Sequence, residues 1–348
     1  MHMADALISP AVGGVLYAAS AASIAYSTAK IKKDSLCEKK VPIMGVAGAL
    51  VFAGQMINFT IPATGSSGHI GGGILLAGLI GGPAALLALA AVLIIQCLFF
   101  ADGGLLALGC NIFNMGVIPC LLIYPLLFKR ITAKGLSYKS ITIASIVSVV
   151  VGLQLGAFGV VLETLASGVT ELPFGTFVAL MQPIHLAIGI VEGIVTAAIL
   201  CYVHSARPEI LESTSAGRRI EGGVALKKVL TVLIAVTVVT GGLLALFASS
   251  HPDGLEWAIG NVYNRDDVEE GLGEFEKAET GSAGMADSIQ ESTAFLPDYA
   301  FASDPDNAAG TTVSGIVGGA LTLILAGGAG LIISRAKTGK ASETTTPI

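Results

Sequence analysis

The chain begins Met1-His2-Met3-Ala4-Asp5, and that start can do chemistry of its own. A free terminal amine, the amide nitrogen of the second residue and the His2 imidazole can close two fused chelate rings around one ion, giving three nitrogens in a plane. A fourth nitrogen completes the square-planar field favoured by nickel(II) or copper(II). His69 is the leading candidate for it, within Thr64-Gly65-Ser66-Ser67-Gly68-His69-Ile70-Gly71-Gly72-Gly73. Glycines on both sides let the backbone approach a bound ion or an inserted N-terminus closely. Each histidine also has a plainer reading, as an accident of position at residue 2 and as a hydrogen-bonded structural group in a glycine-rich turn. Met1 is expected to stay on the mature chain, because its removal normally needs a small second residue and His2 is not small.

Other polar residues stand in apolar surroundings. His185 and Glu192 lie one heptad apart, on roughly one face of a helix. An intramembrane carboxylate is costly, so Glu192 reads as a cation relay or, preferably, as the packed partner of a neighbour. Asp102 sits in a turn with Gly103 and Gly104, while Asn111 and Asn114 share a helical face three residues apart. These groups can orient ligand histidines from behind or hydrogen-bond between helices. Five scattered cysteines without a C-x-x-C pair indicate neither a disulfide framework nor a thiolate zinc site. Gly339-Lys340 lacks the preceding glycine of a phosphate-binding loop, so active transport would need ATPase partners.

The elements that must position these groups follow from composition. The 348 residues are 53% hydrophobic and 13% charged, about half the charge of an average soluble domain. Apolar blocks near the length of a bilayer-crossing helix recur, so an all-α polytopic membrane protein is expected. With a net charge of -6 and no basic face, a nucleic-acid partner is excluded. Nine spans are predicted, roughly 10 to 29, 42 to 60, 69 to 82, 84 to 100, 105 to 128, 140 to 165, 183 to 203, 226 to 248 and 311 to 333. The third and fourth are divided at Gly81-Gly82-Pro83. With the N-terminus outside the cell membrane, segments 30 to 41, 129 to 139, 204 to 228 and 334 to 348 hold 17 of the 19 Lys and Arg residues. The positive-inside rule predicts that asymmetry, and merging the third and fourth spans destroys it. Residues 249 to 310 carry fourteen Asp and Glu against Arg265 and Lys277 and form one long outer loop. The expected organisation is a seven-helix metal-binding core over 1–205, a cytoplasmic linker over 206–225, and a two-helix companion module over 226–348.

Several segments together resemble one family, the membrane-embedded substrate-specific (S) components of energy-coupling-factor nickel/cobalt transporters of the CbiM/NikM type. They are Met1-His2 with Ser9-Pro10, Thr64 through His69, Phe100-Ala101-Asp102-Gly103-Gly104-Leu105 continuing to Asn111, Asn114 and Met115, and His185-Leu186-Ala187-Ile188-Gly189 with Glu192-Gly193. The resemblance implies that Met1, His2 and His69 bind the metal. It implies import of nickel(II) or cobalt(II) as transported substrate, with no organic cofactor, through a separate transmembrane coupling protein and a pair of ATPase subunits. Where family members often begin Met-His-Ile-Pro-Asp-Gly, this chain has Met1-His2-Met3-Ala4-Asp5-Ala6. The C-terminal part resembles the companion component carrying a Pro-Asp-Gly-Leu-Glu motif, here Pro252-Asp253-Gly254-Leu255-Glu256, and the resemblance implies help in loading the metal or coupling the core. The plainer reading is that Asp253 and Glu256 cap a turn. The rival classes are a proton-coupled secondary carrier or channel using Glu192 and His185, and a membrane scaffold or sensor.

Overall fold

The computed structural model describes residues 2–34, 40–170, 172–218, 226–262, 281–304 and 307–342. Met1, the middle of the acidic loop (263–280) and part of the expected linker (219–225) therefore lie outside the described residues. The protein is an all-α polytopic membrane protein. After a 3-10 turn at Asp5–Leu7, helix α1 (Pro10–Asp34) leads to α2 (Lys40–Gln55), and a short antiparallel hairpin, β1 (Phe59–Ile61) with β2 (Ser66–Gly68), pairs Phe59 with Gly68. Helices α3 (Gly73–Ile80), α4 (Gly82–Phe100), α5 (Leu108–Ile131), α6 (Tyr138–Ser167), α7 (Phe174–Ala206) and α8 (Pro208–Ser215) follow. The C-terminal part contributes α9 (Lys227–Gly242), α10 (Gly254–Val262), α11 (Gly281–Thr293) and α12 (Ala308–Ser342). Among the described residues, α4, α5, α6, α7 and α12 are long and apolar enough to cross a membrane.

Burial explains the layering. Helix α4 is buried almost all round, with Leu86, Leu89, Val92 and Leu93 nearly inaccessible, as expected of a helix that is hydrophobic on every face. Helix α12 instead leaves Ile324 and Ile332 66% and 72% exposed, apolar surface suited to lipid. It docks on α2 through glycine: a Cβ at Gly45 would stand 3.0 Å from the Leu323 carbonyl oxygen. Gly241 of α9 and Gly315 of α12 touch through their backbones. Small residues permit such approach where lipid gives no hydrophobic drive between helices.

The third expected span departs from a helix. Only Gly73–Ile80 is helical, because Gly72 takes φ +79 and residues 69 to 72 run on from the hairpin as non-helical chain. Buried backbone outside a helix persists only where protein satisfies its polar groups. Here Glu192 accepts from the Gly71 and Gly72 amides at 2.8 Å each, and Gln55 Nε2 donates to the Gly71 carbonyl at 2.9 Å. The chain reverses at Gly81, φ +90. His69, ahead of α3, and Asp102, just past α4, both reach His2, so α3 and α4 are antiparallel. Helix α7 begins at Phe174 rather than near 183, so Pro183 and His185 lie inside it. Within the stretch expected as linker, α8 buries Ile210 and Leu211, and Thr214 Oγ1 donates to the Leu79 carbonyl.

Candidate metal centre

The N-terminal segment threads into the bundle and is held mostly through its backbone. Met3 N–H donates to Asn111 Oδ1 at 2.8 Å while Asn111 Nδ2 donates to the Met3 carbonyl at 3.3 Å. The same carbonyl accepts from Gly104 N–H at 2.8 Å. Asp5 Oδ1 accepts from Ala107 N–H at 2.9 Å. Met3 and Asp5 are 0% and 1% exposed, so this is an inserted strand of chain, not a surface tail. Two glycines leave room for it. A Cβ on Gly103, φ +81, would approach Asn111 Nδ2 to 2.9 Å and His2 Cβ to 3.2 Å, and one on Gly104 would collide with Asp5.

That insertion stacks the His2 ring on His69, with centroids 5.0 Å apart and planes 12° from parallel. His69 lies ahead of α3, outside the spanning helices. Burial, reinforced by nearby positive charge, lowers its imidazole to about 3, which keeps it neutral and able to act as a ligand. Its Nδ1 stands 3.1 Å from the Ile70 carbonyl, and donation there leaves Nε2 with the lone pair. His2 Nδ1 donates to Asp102 Oδ1 at 2.9 Å, and Tyr299 donates its hydroxyl to Asp102 Oδ2. Burial opposes ionisation of Asp102, but the His2 imidazole and the Tyr299 hydroxyl hold its carboxyl below the usual range. A chelate closed through the amide of His2 uses Nδ1 of the same residue, so metal loading requires the ring to turn away from Asp102. Among the described residues no three His, Cys, Asp or Glu side chains converge on an ion. Backbone nitrogens would have to complete any coordination sphere here.

The sequence-predicted residues divide into neighbours and outliers. His2, His69, Asp102 and Asn111 meet at one point, whereas Met1 lies outside the described residues. Asn114 points elsewhere and donates to Glu163 Oε2 at 2.8 Å. Glu192 acts one step removed, through the Gly71 and Gly72 amides. His185, 1% exposed, spends Nδ1 on the Met181 carbonyl at 2.8 Å, while its Nε2 has no hydrogen-bond partner. A small cavity joins it to His69, Met115 and Gly254.

The Pro-Asp-Gly-Leu-Glu segment packs on the same end. Asp253 Oδ1 accepts from Leu255 and Glu256 N–H, and Glu256 Oε2 accepts from Asp253 N–H, a reciprocal cap that starts α10. Ser67 N–H donates to the Pro252 carbonyl at 2.8 Å, Ser67 Oγ to the His251 carbonyl at 2.7 Å, and Trp257 Nε1 to the Thr64 carbonyl at 2.8 Å. The hairpin leading to His69 is therefore clamped by residues nearly two hundred positions away. Gln290, absent from the sequence reading, donates to the Gly103 carbonyl at 2.9 Å and accepts from Leu105 N–H at 3.2 Å, fixing the Asp102 turn. Neither Gln290 nor Tyr299 belongs to a motif or a periodic pattern, so no local signal marks them.

Comparison with known proteins places this geometry among relatives. Residues 2–210 match the family described as cobalt uptake substrate-specific transmembrane region, and residues 227–335 match the PDGLE domain. A putative fused nickel transport protein NikMN of Archaeoglobus fulgidus is 32% identical over 335 residues, covering 93% of this chain and 96% of that one. A probable fused nickel transport protein LarMN of Lactiplantibacillus plantarum is 33% identical over 243 residues, 67% of this chain and 73% of that one. The crystal structure of a truncated transition metal transporter superposes with a TM-score of 0.53 at 29% identity, covering 59% of this chain and 99% of that one.

Proposed function

The chain belongs to the CbiM family of cobalt uptake substrate-specific transmembrane regions, fused to a PDGLE domain, and from that premise we propose that it is the metal-binding subunit of an ATP-driven importer of nickel(II) or cobalt(II). The observation that carries the reading is the stacking of His2 on His69 by an inserted N-terminal segment. The ion is the transported substrate. In this reading Met1 supplies the terminal amine, His2 its amide nitrogen and Nδ1, and His69 its Nε2. Four nitrogens then replace the ion's hydration shell in a site where no Lys or Arg stands among the described residues. Asp102 takes the His2 imidazole when no ion is held, and Asn111, Gly104 and Asp5 keep the segment in register.

The orientation proposed places the histidine end outside the cell membrane and the Lys- and Arg-rich segments in the cytoplasm. The chain carries no ATPase motif of its own in this reading. Reorientation and release fall to a separate transmembrane coupling protein and a pair of ATPase subunits. The seven-helix core over 1–205 does the binding, the segment over 206–225 links it to the two-helix companion, and the Pro252 to Glu256 segment steadies the hairpin that bears His69. The carrier or channel alternative loses its main residue, since both Glu192 oxygens are already engaged by backbone amides.

The test uses the full chain with its native N-terminus, purified in detergent, and counts bound metal by elemental analysis. Wild type is expected to hold one nickel or cobalt, and His2→Ala, His69→Ala and a chain acetylated or extended before Met1 are expected to hold none. Metal retained in the blocked N-terminus would overturn the chelate.

A further inference from the structure

At the opposite end of the bundle lies a cavity of about 310 Å³, walled by α1, α5, α8, the start of α2 and the α3–α4 turn. We propose that it binds the headgroup of an anionic phospholipid. Helix α1 fixes the depth: Pro10 lies beside the histidine end and Lys30 lines the cavity twenty residues on, about 30 Å away at helical rise, one bilayer core. The cavity is therefore at the other membrane boundary.

Its chemistry is amphiphilic. Four cations line it, Lys30, Lys40, Lys129 and Arg218, and no carboxylate does among the described residues. Lys129 and Arg218 pair with no described acidic group. Lys40 is buried in the wall at 8% exposed. Cations gathered around one space favour an anion, and Arg and Lys near a membrane surface attract acidic lipids. Beside them Ile31, Ile80, Leu121 and Pro125 supply an apolar wall that a free inorganic anion would not use. Tyr26, 58% exposed, also lines the cavity, and Leu122 and Leu126 are exposed on the adjoining part of α5, so the cavity is continuous with surface suited to acyl chains. The space itself depends on glycine. Gly81, φ +90, turns the chain there, and Gly82 packs directly on the Cys120 carbonyl.

This inference stands apart from the metal reading, and either can fail alone. The full chain is placed in nanodiscs of phosphatidylcholine alone or with phosphatidylglycerol, and lipid retained after extraction is counted by native mass spectrometry. Wild type is expected to retain phosphatidylglycerol over phosphatidylcholine, with no displacement by inorganic phosphate. The double variant Lys129→Gln/Arg218→Gln is expected to lose that preference by about tenfold or more. An unchanged Tm in the variant reports that it is folded, and Tyr26→Ala, which leaves the cations in place, is expected to shift the preference less. Equal retention of the two lipids, displacement by inorganic phosphate, or a folded double variant that retains phosphatidylglycerol like wild type would overturn the proposal.

Discussion

The two ends of the bundle are built by the same helices and finished in opposite ways. At the histidine end, the N-terminal segment, the β1–β2 hairpin, the Asp102 turn and the Pro252 to Glu256 segment interlock through hydrogen bonds. At the far end, four cations surround an open cavity. The difference teaches where charge can be tolerated. On the proposed function, an ion at the histidine end is best served by neutral nitrogen ligands, and the four cations of the far cavity stand about one bilayer core away along α1. It also teaches where rigidity comes from. The histidine end is over-determined by contacts from distant parts of the chain, and its individual elements are too short to stand alone.

Removing a ligand is expected to have the largest effect on this contrast. His69→Ala should abolish nickel binding by isothermal titration while leaving lipid retention at the far end unchanged. If both ends fail together, the ends are not independent. Next is Gly104→Ala, whose added methyl would collide with Asp5 and displace the inserted segment. Overpacking of this kind costs about 1–3 kcal/mol, and nickel affinity should fall about a hundredfold, read by the same titration.

Glu192→Gln sharpens the comparison further, because a neutral amide cannot accept from two adjacent N–H groups as a carboxylate does. The Gly71–Gly72 backbone would loosen, and affinity should fall about tenfold, in the range of groups that orient a ligand from behind. A loss as large as that of His69→Ala would instead mean that Glu192 touches the ion. The effect of pH is smaller and has a definite sign. Ligand nitrogens bind protons in competition with metal, so affinity should fall as pH falls. With His69 held at about 3, it stays neutral down to that region. The slope between about pH 8 and 5 should therefore reflect protons on nitrogens other than those of His69. An affinity that stays flat between about pH 8 and 5 would contradict this. Trp257→Phe should matter least, removing one hydrogen bond to the hairpin at about 1 kcal/mol, seen as a lower Tm with stoichiometric metal retained.

How much of this was legible follows from what each signal senses. Apolar blocks announce helices, so each expected span contains a helix, and the Gly81-Gly82-Pro83 break does separate α3 from α4. Hydropathy is blind to backbone conformation, which is why residues 69 to 72 read as the start of a helix although Gly72 and the Glu192 carboxylate hold them non-helical. Glu192 is read from the sequence as a relay or a packed partner, and the groups it holds are the Gly71 and Gly72 backbone amides. Asn111 and Asn114 share a helical face by spacing, yet only Asn111 reaches Met3. Asp253 and Glu256 do cap a helix, and the same segment also clamps the hairpin.

The sequence by itself determined the membrane class, the fused two-part family and the candidate nitrogens, because these depend on composition and on short motifs read along the chain. Only the tertiary structure decided that His2 stacks on His69 while its Nδ1 is turned to Asp102. It also decided that Gln290 and Tyr299 hold the Asp102 turn, and that the cations enclose one cavity. Those relations join residues that are tens to hundreds of positions apart. They arise from helix packing and chain reversal, which bring groups together in space without leaving a period or spacing in the sequence.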